Sequence, residues 1–288
     1  MRPSTLCLLS GAWVFGCASD PDPAAPADPN AVRVEFRATV GAQPFRCGQR
    51  YSGIGTNNGT IEAVDFRLYV HGVQLIRRDG VRVPVALTDD GRFQGNGVAL
   101  LDFEDGTAAC ETGSPETHTF LDGRAPPGDY TGLAFTLGVP QAQNHLNAPT
   151  ASAPLNVPGL WWSWSGGYKF ARIDVKTGNN PFFYFHLGDT SCMGSVGMGF
   201  NCAYGNRAEI VLTGMNPTQQ PVRVDLAALY ANVDVDRRPD GMVDRIAGCM
   251  SFAGDPECPG MFGSIGASFT DQPAVGSAQR MFSAVGSP

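Results

Sequence analysis

The chain alternates apolar and polar residues over many short stretches. Val32-Arg33-Val34-Glu35-Phe36 does so, and Val64-Asp65-Phe66-Arg67-Leu68-Tyr69-Val70-His71 repeats the pattern. A period of two puts successive side chains on opposite faces of a strand, so each stretch predicts a strand with one face on a core. Further strand candidates are 81–87, 98–103, 130–137, 168–175, 182–187, 207–213 and 221–230. Asp79-Gly80, Asp90-Gly91 and Pro127-Gly128 supply turns between them. No window sustains an apolar period of 3.6. The pattern predicts an all-β fold, an irregular β-sandwich over 31–262, or failing that an irregular barrel. From about 236 onward the alternation weakens into a loop-rich C-terminal extension, and 263–288 reads as a tail.

Composition adds boundaries. Hydrophobic residues make up 43%, enough for a sizeable core, and 36 glycines with 22 prolines suit many tight turns. Net charge is -7 and no basic run occurs, which argues against a nucleic-acid-binding face. Arg2 followed by the apolar stretch Leu6 to Phe15 is too short to span a bilayer and has the form of an export signal. It ends in Val14-Phe15-Gly16-Cys17, similar to a lipobox. Residues 1–17 are therefore expected to be a lipoprotein signal peptide ending at a lipidated Cys17, with 18–30 a Pro/Ala/Asp tether. The expected location is periplasmic or outer-membrane-anchored, with the membrane reached through the lipid. An ordinary signal peptide cut near Ala18 is the alternative.

Six cysteines follow: Cys47, Cys110, Cys192, Cys202, Cys249 and Cys258. An even count in an exported chain predicts three disulfides. Fifteen pairings are possible; the short loops favour Cys192–Cys202 and Cys249–Cys258, leaving Cys47–Cys110. No CxxC pair supports zinc.

Chemistry is sparse. There are four histidines, His71, His118, His145 and His186, and no Gly-x-Ser-x-Gly, P-loop or His-Glu-x-x-His. No catalytic set emerges, so the chain is expected not to be an enzyme. Asp234-x-Asp236-x-x-x-Asp240-Gly241 matches a calcium loop poorly. Three indoles crowd into Trp161-Trp162-Ser163-Trp164, which on its own reads as core packing. His186 alternates with Phe182 and Tyr184, away from Phe183, Phe185 and Leu187. His145 follows Asn144 in a loop.

Taken in order, these motifs carry a resemblance. They are Phe45-x-Cys47, Asp65 to His71, Leu100-Leu101-Asp102-Phe103-Glu104 with Cys110, and Gly128-x-Tyr130-x-Gly132-Leu133. Then come Leu137-Gly138-Val139-Pro140, Asn144-His145, Pro154-Leu155-Asn156 and Trp162-Ser163-Trp164. Gly167-Tyr168-Lys169-Phe170 with Asp174, and Phe185-His186-Leu187-Gly188 with Cys192 and Cys202, complete the set. From about Val32 to about Phe262 the chain resembles the MbnP family, also described as the four-Cys protein of a metallo-mystery pair. Cys249 and Cys258 lie outside that four-Cys core.

The resemblance implies an exported protein that binds one copper ion, Cu(I) by preference, in copper homeostasis. It implies a di-haem partner resembling MauG and cytochrome c peroxidase, which oxidises the first Trp of the WxW motif to kynurenine; copper binding depends on that change. Here that residue is Trp162. The implied metal ligands are His145 and His186 with the modified Trp162 nearby, then His71, with Met193 and Met198 more remote. Trp164 is an electron-relay candidate, and Trp161, one residue off the face, is expected to stay unmodified in the core. The alternative reading is a structural or carbohydrate-binding surface lipoprotein.

Overall fold

The computed structural model describes residues 28–163, 165–237, 246–270 and 279–286. Cys17 and Trp164 lie outside the described residues, as do Asp240 and Gly241 of the calcium-like stretch. The alternation becomes strands, as expected. Ala31–Val40 buries Val32, Val34 and Phe36 and exposes Arg33, Glu35 and Arg37. It pairs antiparallel with Phe120–Arg124 and parallel with Val222–Asp225 in the smaller sheet. The larger sheet is built on the long strand Gly59–Arg77. This strand pairs with Tyr130–Leu137, Ala171–Thr177 and Val98–Asp102, and the order continues to Ala208–Thr213 on one side and Phe183–Leu187 on the other.

The two sheets pack face to face through aromatic rings. Phe36 of the smaller sheet meets Phe135 of the larger at 5.8 Å, edge to face, and Phe135 meets Phe282 at 5.3 Å. This is the interdigitated core of a β-sandwich. Three disulfides staple it: Cys47–Cys110, Cys192–Cys202 and Cys249–Cys258. Disulfides of this number fit an oxidising, extracytoplasmic compartment. Among the described residues, no helix is long and apolar enough to cross a membrane.

Several elements differ in detail from the pattern. The 81–87 stretch is two strands: Arg82–Pro84 pairs with Gly59–Arg77 and Ala86–Leu87 with Phe120–Arg124, so the chain changes sheets at Val85. The 168–175 stretch divides into Gly167–Tyr168, which forms a small ribbon with Trp161–Ser163, and Ala171–Thr177. The strand from 221 stops at Asp225. There the carboxylate accepts from the Ala227 amide and caps a short helix, Leu226–Leu229. The C-terminal stretch is more integrated than its composition suggests. A helix spans Cys258–Ser264, Gly248–Cys249 pairs parallel with Phe183–Leu187, and Phe282–Ala284 joins Val222–Asp225.

Candidate metal centre

The polar positions of the long strand are buried too. Asp65 and Arg67 are 1% and 4% exposed, although alternation alone would allow that face to meet water. The reason is register. Asp174 lies opposite Asp65, and Arg172 opposite both Arg67 and His186. Arg67 grips the Asp65 carboxylate through Nε, at 2.9 Å, and through Nη2. Arg172 Nε lies 3.2 Å from Asp65 and 2.9 Å from Asp174. Glu104 closes the far end, 3.8 Å from Arg67. Buried charges survive only when paired in this way.

His186 ends this chain of ion pairs. Its Nε2 is 2.7 Å from Asp174 Oδ1. An ionised carboxylate only accepts, so Nε2 carries the proton and donates. Burial pushes the Asp174 carboxyl up, but the hydrogen bond from His186 and the Arg172 guanidinium bring it below its ordinary range. Burial holds the His186 imidazole below its ordinary range, which keeps the ring neutral near pH 7. With the proton on Nε2, Nδ1 presents a lone pair. That atom is buried and has no hydrogen-bond partner among the described residues. A carboxylate on one ring nitrogen and an unused lone pair on the other is how metal-binding histidines are held.

Trp162 sits over the continuation of the same strand. A Cβ on Gly188 would lie 2.4 Å from Trp162 Cζ3, so the indole occupies the space that glycine leaves open. Its Nε1 is also buried, with no hydrogen-bond partner among the described residues. The ring lines a cleft of about 430 Å³ together with Asp189, Cys192, Met250 and Phe252. Trp161 instead packs partly buried against the core.

His145 stands beside this cleft. Its ring stacks on Phe200 at 4.6 Å, and Nε2 lies 3.4 Å from Cys202 Sγ. Asn144 anchors the loop. Its Oδ1 accepts from the Tyr168 amide at 2.9 Å, and its Nδ2 donates to Asp189 at 3.0 Å. Arg207 holds Asp189 through two bonds, at 3.0 and 2.9 Å. His71 lies apart and half-buried, its Nδ1 donating to the Gly138 carbonyl at 2.8 Å. Met193 and Met198 are exposed on the hairpin that carries Cys192 and Cys202. His118 has its ring wedged against Phe93 and Phe120, and its backbone bridges to Asp102.

The sequence model of the MbnP family matches residues 29–251. The chain belongs to the MbnP family. The solved structure of MbnP from Methylosinus trichosporium is similar over 88% of this chain and 98% of that one, with 31% identity and a TM-score of 0.77. No curated protein matches the chain.

Among the described residues of this MbnP-family fold, three groups bring ligand atoms within 4.8 Å of one another: His145 with Cys192 and Cys202, Glu104 with Cys47 and Cys110, and Asp255 with Cys249 and Cys258. In each, the two cysteines are bonded to each other. A disulfide sulfur is no thiolate, so in the oxidised chain each group offers one strong donor. His186 forms a separate position whose donor is ready-made. Asp174 and Asn144 stand among the family motifs, yet their roles as holders of His186 and of the His145 loop emerge only from the fold. Asp189 and Arg207 carry no signal in the sequence.

Proposed function

We propose that this MbnP-family chain is an exported copper-binding protein of copper homeostasis and performs no turnover of its own. One observation carries the reading: the buried, unpaired Nδ1 of a neutral His186 whose Nε2 is pinned by Asp174. Neutral imidazole suits copper, including Cu(I). His186 is the proposed anchoring ligand. His145 and His71, at separate positions in the fold, are the further imidazole donors the resemblance implies, and His71 has its Nδ1–H spent on Gly138 with Nε2 left as the lone pair.

The resemblance to the family supports a second element, oxidation of Trp162 to kynurenine by a di-haem partner similar to MauG. Replacing the indole with an aromatic amine and a ketone adds polar atoms on the wall of the cleft. Trp162 lines that cleft while Trp161 faces the core, which supports selective oxidation of Trp162. Lipid anchoring through Cys17 belongs to the same proposal.

The test is copper stoichiometry of the full chain produced alongside its di-haem partner. His186→Ala should lose most copper and keep its melting transition, whereas His118→Ala should keep the metal. Peptide mapping should find one oxygen gained and one carbon lost at Trp162 and none at Trp161. Unchanged copper in His186→Ala, or oxidation confined to Trp161, would refute the assignment.

A further inference from the structure

The cleft wall carries a second feature that copper binding at His186 does not use. Cys192 and Cys202 face each other directly across the antiparallel hairpin of Thr190–Ser195 and Gly199–Tyr204. Both are partly exposed, and their neighbours Ser191, Met193 and Asn201 are exposed. In the other two bridges at least one sulfur is shielded: Cys249 and Cys258 are both fully buried, and Cys110 is fully buried although its partner Cys47 is partly exposed. Access decides which disulfide a thiol attacks first.

The His145 ring is aimed at this bridge. Its Nε2 is 3.4 Å from Cys202 Sγ and 3.5 Å from the Asn144 amide nitrogen. The orientation of that amide is settled, because its oxygen accepts from the Tyr168 N–H and its nitrogen donates to Asp189. An N–H therefore lies on the Nε2 side of the imidazole, and in the tautomer protonated at Nδ1 the Nε2 lone pair faces both that N–H and the bridge. A donor lone pair, two sulfurs within 4.8 Å of it, and a partly exposed wall coincide at one place.

We propose that the Cys192–Cys202 disulfide is a redox latch over a soft metal site made of His145 Nε2 and the two cysteine sulfurs. Closed, it offers the imidazole alone. Opening needs a dithiol reductant. Its thiolate attacks one sulfur of the bridge, the Cys192–Cys202 bond breaks, and a mixed disulfide forms. The second thiol of the reductant resolves that intermediate and leaves as the oxidised dithiol. Two electrons and two protons remain on the cysteines. Cu(I) then displaces the two thiol protons, and the thiolates with the imidazole form the kind of donor set that soft copper prefers. The site goes beyond the His186 reading and does not depend on it.

The experiment uses the full chain. It is treated with limiting dithiothreitol, freed of reductant without oxygen, and titrated with Cu(I) against a chromophoric chelator. Differential alkylation identifies which cysteines opened. The first two thiols should appear on Cys192 and Cys202, and the reduced chain should bind one Cu(I) more than the oxidised chain. That gain should vanish in the double variant Cys192→Ser and Cys202→Ser. It should weaken by about 10-fold or more in His145→Ala, since even outer partners of a metal site are worth that much. It should persist in His186→Ala, which separates its failure from failure of the His186 assignment. First opening at another bridge, no gain in copper, or a gain surviving in the double serine variant would overturn the proposal.

Discussion

Asp174→Asn tests whether the ion-pair chain holds His186 for metal. Asp174 is 1% exposed and makes two charge-assisted bonds, to His186 at 2.7 Å and to Arg172 at 2.9 Å. Asparagine keeps the shape and can still accept from His186 Nε2 through its oxygen. It loses the charge, and its amide N–H₂ faces Arg172. A charge-assisted bond is worth about 1–1.5 kcal/mol more than a neutral one, so the two bonds lose about 2–3 kcal/mol in all. Arg172 retains Asp65 at 3.2 Å, which keeps the cost below the roughly 3–5 kcal/mol of a fully orphaned buried ion. For a domain of this size the melting temperature should fall by about 4–12 °C. Copper affinity should fall about 10–100-fold, because the carboxylate no longer orients the ring or raises its basicity. Thermal unfolding with the disulfides intact, and chelator competition, read the two effects. Asp129→Asn, which removes an exposed pair with Arg78, is the control and should change little. If Asp174→Asn melts with the control and binds copper as tightly as the parent, His186 is not held as described.

Burial, reinforced by the Glu104 charge, pushes the Asp102 carboxyl up to about 8. The folded chain then keeps a proton that the unfolded chain releases above about 3.9, so this group's contribution to stability declines as pH rises from about 4 to 8. Asp102→Asn stays neutral, so its urea midpoint should match the parent near pH 4 and exceed it at pH 8.5; an unchanged pH profile would contradict this. Gly188→Ala places a methyl 2.4 Å from Trp162 Cζ3 and 2.8 Å from the Tyr168 carbonyl oxygen. It should cost about 1–3 kcal/mol by overpacking and shift tryptophan emission as the indole leaves its seat. Identical emission and melting would show that Gly188 is not that seat.

The sequence by itself determined the fold class and several of the long strands, because the period-two alternation is a local property of the backbone. It held no sign of Phe120–Arg124 or of the Thr190–Ser195 and Gly199–Tyr204 hairpin. Tyr130–Leu137 matches its sequence range, and Val98–Asp102 and Ala208–Thr213 match within a residue. Cysteine parity and loop length pointed to the three bridges for a similar reason: Cys192 and Cys202 flank one tight hairpin. Family motifs singled out His145, His186 and Trp162 among four histidines and four tryptophans. Only the tertiary structure decided what surrounds them. Asp65, Arg67, Asp174 and His186 stand on three strands, and their ion pairs exist because antiparallel register sets Arg172 opposite both Arg67 and His186. No local pattern encodes that register. The end of the 222–225 strand was equally hidden, since Asp225 caps a helix only once its own strand has stopped. The hydrogen bonds that settle the Asn144 amide come from Tyr168 and Asp189, 24 and 45 residues away, so the placing of His145 beside the Cys192–Cys202 bridge is a property of the folded chain.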